Sequence, residues 1–247
     1  MSSRLALITG AAAGLARGVA LSLARDGYRI AFTYKPGGTD PEPVRALLAA
    51  HDPDALALAA DFTVDGTAEQ VVEATERARG PIDVLVHAVG PIVVKPFADS
   101  SLADYAAMVS GNLGSAVALA FAVLPGMRAR RFGRLVFFGM NGSHVTQPAR
   151  GMSLYGAAKA GVVTFARALS LEEAKAGITV NVIEPGDIRD KGADRAAARA
   201  VTARNPTGHA GSWEDIAAGV RFVVGDDAGY FNGMVLGING GLIEAYE

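Results

Sequence analysis

Apolar residues fall into two rhythms along this chain. Short continuous runs appear at Leu5–Thr9, Ile30–Tyr34, Ala55–Ala60, Asp83–Ala88, Arg134–Gly139, Ile178–Ile183 and Met234–Asn239. Each is apolar on both faces, as strands buried in a parallel sheet must be. Between them lie longer stretches, such as GLARGVALSLARDG and AEQVVEATERARG, whose apolar residues recur every three or four positions. That is the period of a helix with one buried face, and Gly27 and Gly80 stand where such helices end.

Seven strands alternating with about six helices predict a Rossmann-type α/β fold. This is a doubly wound, seven-stranded parallel sheet with helices on both faces. No linker, repeat or block of one charge divides the sequence, so residues 1–247 are expected to form one domain. Ligands of such sheets bind beyond the carboxyl ends of the strands, so chemistry is sought just after each run.

Composition removes several function classes. The 23 basic and 25 acidic side chains leave a net charge of −2, which advertises neither nucleic acid nor an anionic membrane as a partner. The absence of cysteine excludes disulfides and thiolate sites. His51, His87, His144 and His209 never stand at ligand spacing, so no metal is expected. The N-terminal apolar run is too short for a secretion signal or a membrane span. A soluble, cytoplasmic protein is the expectation.

The first strand run leads straight into TGAAAGLARG. Gly10 and Gly14 let the backbone turn tightly and approach a diphosphate, while the amides at the helix start face its charge. The spacing Thr-Gly-x-x-x-Gly, with Ala16 where a further glycine is usual, resembles the fingerprint of the short-chain dehydrogenase/reductase family. Further matches run along nearly the whole chain: DFT at Asp61–Thr63, Asn112 in GNLGSA, Tyr155 and Lys159 in YGAAK, EPGDI at Glu184–Ile188, and INGG at Ile238–Gly241. HAVG at His87–Gly90 stands where the family usually has Asn-Asn-Ala-Gly, so only its glycine fits. The branch resembled most is that of the 3-oxoacyl-acyl-carrier-protein reductases.

The resemblance implies a nicotinamide cofactor held by Gly10, Ala12, Gly14 and Leu15 in the first turn, and by Tyr34, Lys35, Asp61 and Phe62 after strands two and three. Ala88, Gly90, Tyr155, Lys159, Pro185, Gly186 and Ile188 complete that set. It also implies catalysis by Asn112, Tyr155 and Lys159, with Lys159 bonding the nicotinamide ribose and Asn112 holding a water in a proton relay. The residue types explain the chemistry. Positions four apart on a helix share a face. A free phenol has a pKa of about 10. A neighbouring ammonium favours the phenolate, so Lys159 is expected to lower that value and let Tyr155 protonate a carbonyl oxygen.

Two departures matter. The family serine that bonds the substrate carbonyl falls on Met140, which cannot donate, and the loop to Tyr155 is about two residues longer than usual. Asn141 or Ser143 is the candidate substitute. Losing one preorganised donor costs ~3 kcal/mol of barrier, so either a neighbour compensates, or turnover is slow, or chemistry is lost. At the end of the second strand, TYKPGG offers no carboxylate before Asp40. Lys35, helped by Arg17, suits a 2′-phosphate, which favours NADP(H) over NAD(H). The competing reading of Lys35 is a solvated loop charge.

The segment at about 187–211 reads as a substrate lid, with Arg189, Arg195 and Arg199 either addressing phosphates or lying solvated. Arg128, Arg130, Arg131 and Arg134 are either helix C-terminal cations or a docking ridge for an acidic acyl carrier protein. The family resemblance also implies a homotetramer or homodimer. Taken together, the sequence predicts an NADPH-dependent reductase of a 3-oxoacyl thioester or a similar small carbonyl compound. The alternatives are a pteridine-reductase-like enzyme and a non-catalytic NADP(H)-binding regulator.

Overall fold

The computed structural model describes residues 4–242, so the first three and last five positions of the expected 1–247 domain lie outside the described residues. Seven strands form one parallel sheet: β1 (Leu5–Thr9), β2 (Arg29–Tyr34), β3 (Leu56–Ala59), β4 (Val84–His87), β5 (Gly133–Phe138), β6 (Ile178–Pro185) and β7 (Val235–Ile238). Their order is β3-β2-β1-β4-β5-β6-β7. The chain crosses from one edge back to the centre between β3 and β4. That reversal opens a crevice between the carboxyl ends of β1 and β4, where doubly wound sheets take their ligands.

Alternating side chains divide the core into two layers. Leu5, Leu7, Leu135, Phe137, Val180 and Val182 face one side, against α3 (Thr67–Arg79), α5 (Ser115–Arg130) and α6 (Ser153–Glu173). Ala6, Ile8, Val136 and Ile183 face the other, against α1 (Gly14–Arg25), α2 (Glu42–Leu48) and α8 (Trp213–Val224). Two shorter helices, α4 (Leu102–Met108) and α7 (Arg195–Arg199), complete the set among the described residues.

The seven predicted runs are the seven strands, with shifted ends. Ala55, Ala60, Asp83, Ala88, Gly139, Met234 and Asn239 fall outside them, and β6 runs on through Pro185. The expectation that every strand is buried on both faces fails at β3 and β7. These are the sheet edges, where no further strand covers the flank.

The helical run Leu102–Arg130 is long and apolar enough to cross a membrane by length and composition, with half of its most apolar window buried. Ala116, Leu119, Ala120, Val123 and Met127 supply that buried face to the core, while Leu102 and Phe121 stay exposed. Six of its residues, Val109–Gly114, form a π-helical turn. Such turns insert an extra residue and re-aim the side chains that follow, often at functional sites.

Helix α1 carries the first glycine turn and packs on α8. Their contact is close at Gly18, where a Cβ would fall on the indole of Trp213. Gly18→Ala is expected to overpack this seam and lower stability by about 1–3 kcal/mol. Urea unfolding followed by the fluorescence of Trp213, the only tryptophan, reads this directly. An unchanged midpoint would show that the helices separate freely.

Candidate active site

The turn after β1 is pinned before any ligand arrives. Gly10 and Gly14 adopt φ of +73° and +61°, a region that L side chains rarely enter. The Gly10 amide donates to Thr33 Oγ1 at 3.1 Å, and Ala11 N donates to Thr33 O at 3.0 Å. Helix α1 then begins at Gly14 with no side-chain cap and no acidic residue in its first turn. Its leading amides and the positive end of its dipole are therefore free to meet an anion.

Next to this turn lies a cleft of about 510 Å³. Leu15, Ala88, Gly90, Tyr155, Lys159, Pro185, Gly186 and Ile188 line it together with Met140 and Asn141. Sequence positions at or following the ends of four separate strands, β1, β4, β5 and β6, thus converge on one space. Gly10, Ala12 and Gly14 flank it in the turn.

Tyr155 and Lys159 stand one turn apart near the start of α6. The Tyr155 hydroxyl has no hydrogen-bond partner among the described residues, and burial raises its pKa. Lys159 is 6% exposed and donates from Nζ to Phe138 O at 2.8 Å. Burial pulls its pKa down to about 8. Its ammonium lies 5.7 Å from the Tyr155 ring centroid. The expected depression of the phenol pKa by Lys159 is therefore reversed in this geometry. The ammonium is committed to the Phe138 carbonyl, and removal of the phenol from water dominates.

Asn112 belongs to the π-helical turn and is buried. Its Nδ2 donates to Pro91 O and Met108 O, each at 3.0 Å, while Oδ1 is buried with no partner among the described residues. A Cβ on Gly90 would fall on that Oδ1 and within 3.4 Å of Lys159 Nζ. Gly90 is therefore what lets the two side chains approach the same stretch of backbone.

A family model described as Enoyl-(Acyl carrier protein) reductase matches residues 10–243. The chain belongs to the short-chain dehydrogenase/reductase family. It is 32% identical to the acetoacetyl-CoA reductase of Allochromatium vinosum, over 97% of this chain and 98% of that one. It is also 32% identical to the 3-oxoacyl-[acyl-carrier-protein] reductase of Haemophilus influenzae, over 98% and 99%. A solved chain from Bacillus thuringiensis, named as a candidate 3-oxoacyl-reductase, superposes with a TM-score of 0.90 at 30% identity, over 99% of this chain and 100% of that one. Membership implies a nicotinamide cofactor. The left-handed glycines and the uncapped start of α1 fit its diphosphate.

Against the family pattern, the two candidates for the missing serine separate. Ser143 is 3% exposed and donates to Glu184 Oε1 at 2.5 Å, away from the cleft. Asn141 lines the cleft. His87 is fully buried, with Nδ1 2.9 Å from Thr9 Oγ1 and Nε2 2.9 Å from Ser115 Oγ. The Ser115 hydroxyl hydrogen goes to Gly111 O at 2.8 Å, so Ser115 accepts from Nε2–H and Thr9 donates to Nδ1. His87 thus ties β1 to the start of α5 as a neutral ring. Burial first, and the Lys159 charge second, pull its pKa down to about 3.

At the other end of the crevice, Tyr34 is half-buried and Lys35 is exposed. Lys35 pairs with Asp61 at 3.1 Å. Asp61 also accepts from Thr63 N and Oγ1, and those bonds, then Lys35, hold its carboxyl below the usual range. Phe62 turns its ring onto His87, centroids 6.0 Å apart, so its side chain serves the core.

The expected lid segment is anchored by α7. Arg195 bonds Asp215 at 2.7 Å, its amide bonds Glu214, and Arg189 pairs with Asp187 at 2.6 Å. The four arginines of the expected basic ridge each engage groups of the protein itself, while Arg128, Arg130 and Arg131 stay exposed. Arg128 grips Glu173, Arg130 donates to Ile82 O, Arg131 donates to Lys175 O, and Arg134 is buried. All four lie by the amino end of β5, whereas the cleft lies past its carboxyl end.

Lys191, Ile92, Gln147, Met152 and Leu242 also line the cleft, though no motif singled them out. One signal existed: the apolar run PIVV follows Gly90 without strand or helix to bury it, and Ile92 is 54% exposed.

The buried His87 makes stability depend on acid. Unfolding restores its ordinary pKa of about 6.5, so the unfolded chain binds an extra proton between pH 6.5 and about 3. Stability from this group is full above pH 6.5 and falls as pH drops through that window, by on the order of 5 kcal/mol in all. His87→Asn, which does not titrate, is expected to flatten this slope in urea melts between pH 4 and 7. An equal slope in both proteins would refute a neutral buried ring.

Proposed function

We propose that the protein is an NADPH-dependent reductase that converts the ketone of a 3-oxoacyl thioester, or of a similar small carbonyl compound, to a secondary alcohol. One observation carries the reading: in the cleft, the Tyr155 phenol, with no partner among the described residues, stands one helical turn from a buried ammonium, Lys159. The names of the relatives supply the substrate class. A thioester on an acyl carrier protein suits the same cleft, and the exposed Arg128, Arg130 and Arg131 remain the candidate dock for the carrier.

When bound, the cofactor supplies a hydride to the carbonyl carbon. Tyr155 gives its phenolic proton to the carbonyl oxygen as that oxygen gains charge. Its raised pKa keeps the proton in place at neutral pH, the form a donor needs. The Lys159 ammonium, still charged below about pH 8, is the source from which the phenolate that remains regains a proton. Asn112 Oδ1, unpaired among the described residues, accepts from the group that recharges Lys159. Gly10, Gly14 and the first amides of α1 hold the diphosphate.

For the choice of cofactor, the end of β2 presents Tyr34 and Lys35 and no carboxylate that would repel a 2′-phosphate. A 2′-phosphate competes with Asp61 for the exposed Lys35. Exposed Phe121 and Leu171 support the homotetramer or homodimer reading.

NADPH oxidation across acetoacetyl thioesters, small diketones and dihydropterins tests the activity, and cofactor binding with no turnover of any member would favour a regulator instead. Tyr155→Phe is expected to lower kcat by about a thousandfold while leaving the affinity for NADPH intact. Wild-type ketone reduction is expected to decline above about pH 8, where Lys159 loses its proton, and a flat profile to pH 10 would remove Lys159 from the relay. Lys35→Met is expected to weaken NADPH about tenfold, in line with one lost exposed phosphate contact, without changing NADH binding.

A further inference from the structure

Where the family has a hydroxyl, this chain has Met140, and the surrounding loop is built around a different group. Glu184, the last residue of β6 before Pro185, is completely buried. Its carboxylate accepts four hydrogen bonds from the loop after β5. Gly142 N reaches Oε2 at 3.1 Å, Ser143 Oγ reaches Oε1 at 2.5 Å, His144 N reaches Oε1 at 3.0 Å, and His144 Nδ1 lies 2.8 Å from Oε2. Ser143 Oγ in turn accepts from Met140 N at 3.2 Å. The carboxylate needs space that a side chain at residue 139 would fill. A Cβ on Gly139 would meet Glu184 Cγ at 2.9 Å and Ser143 Oγ at 3.0 Å.

Asn141 is thereby fixed from both sides, since the amides of Met140 and Gly142 are each bonded. Its orientation follows from donors and acceptors alone. Gly241 N can only donate, and it donates to Asn239 Oδ1 at 3.1 Å. Asn239 Nδ2 then donates to Asn141 Oδ1 at 2.7 Å. Asn141 Nδ2 therefore carries the hydrogens and gives one to Leu242 O at 3.1 Å. A second N–H remains on a side chain that lines the cleft with Tyr155. The Met140 side chain lies beside the α6 start, its Cε 3.5 Å from a Cβ position on Gly156.

We propose that Asn141 is the residue that donates a hydrogen bond to the substrate carbonyl, and that Glu184 is the positioning residue that holds it there. A carboxamide N–H replaces the serine hydroxyl, and a buried carboxylate replaces the local packing that presents it. The proton in flight still comes from Tyr155, and Asn141 transfers none.

This inference rests on the carbonyl-reductase reading, and the experiment separates the two. Acetoacetyl thioester reduction is compared in the wild type, Asn141→Ala, the double variant Met140→Ser with Asn141→Ala, and Glu184→Gln. NADPH affinity is read by fluorescence. The carbonyl stretch of isotope-labelled thioester bound beside NADP⁺ is read by difference infrared spectroscopy. Asn141→Ala is expected to lose about a hundredfold in kcat, the usual cost of one preorganised donor, to shift the carbonyl stretch to higher frequency, and to leave NADPH affinity unchanged. Restoring a hydroxyl through Met140→Ser should recover about tenfold, as a less well-placed donor would. Glu184→Gln cannot accept all four bonds, so it should shift the stretch in the same direction with a smaller loss in kcat. An active wild type with an equally active Asn141→Ala overturns the assignment and leaves the reductase reading standing. A wild type inert toward every carbonyl compound overturns both.

Discussion

A buried ammonium at the carboxyl end of the sheet is the constraint around which the site is arranged. Lys159 is almost completely removed from water, and a charge in that position survives only if dipoles and acceptors surround it. The Phe138 carbonyl supplies one acceptor directly. Gly90 stands back by the absence of a Cβ, and Asn112 brings an unpaired oxygen to the same stretch of backbone. His87 is a neutral ring chiefly because it is buried and secondly because of the Lys159 charge, and its hydrogen bonds are used for structure. Four elements, β4, β5, the π-helical turn and α6, are thereby set relative to one nitrogen atom.

The same constraint corrects the simplest account of the tyrosine. A lysine four residues away does not acidify a phenol by proximity when its charge is spent on a carbonyl. Burial then leaves Tyr155 a firmer holder of its proton. In a reductase that is a workable starting state, because the donor must arrive protonated. The developing negative charge on substrate oxygen, and not a preformed phenolate, draws the proton across.

The strands were legible because a sheet covered on both faces writes continuous apolar runs, and the first turn because Gly10 and Gly14 meet a backbone requirement that few other residues satisfy. Tyr155 and Lys159 were legible as a spacing, but the direction of the phenol pKa was not, since it depends on where Nζ points. The π-helical turn left no periodic signature that distinguishes it from the helices on either side. Ser143 and Asn141 could not be told apart in sequence. Two residues apart in a loop, they differ only in which one a distant carboxylate captures. The partners of the arginines near β5, namely Glu173, the Ile82 carbonyl and the Lys175 carbonyl, come from other elements and so left no local signal.

The departure at Met140 therefore has a physical context that random loss of function would not supply. Decay of one hydroxyl leaves its neighbours in place. Here Gly139 vacates the volume that Glu184 enters, and Gly142 takes φ of +77° where a side chain would strike Gln147. Ser143 turns inward to bridge Met140 N and the carboxylate. Each feature makes sense only with the others, because a buried carboxylate without its four donors would be strongly destabilising. A loop with such mutual fitting holds one carboxamide at the cleft wall, and that is the physical basis for proposing it as the replacement for the serine.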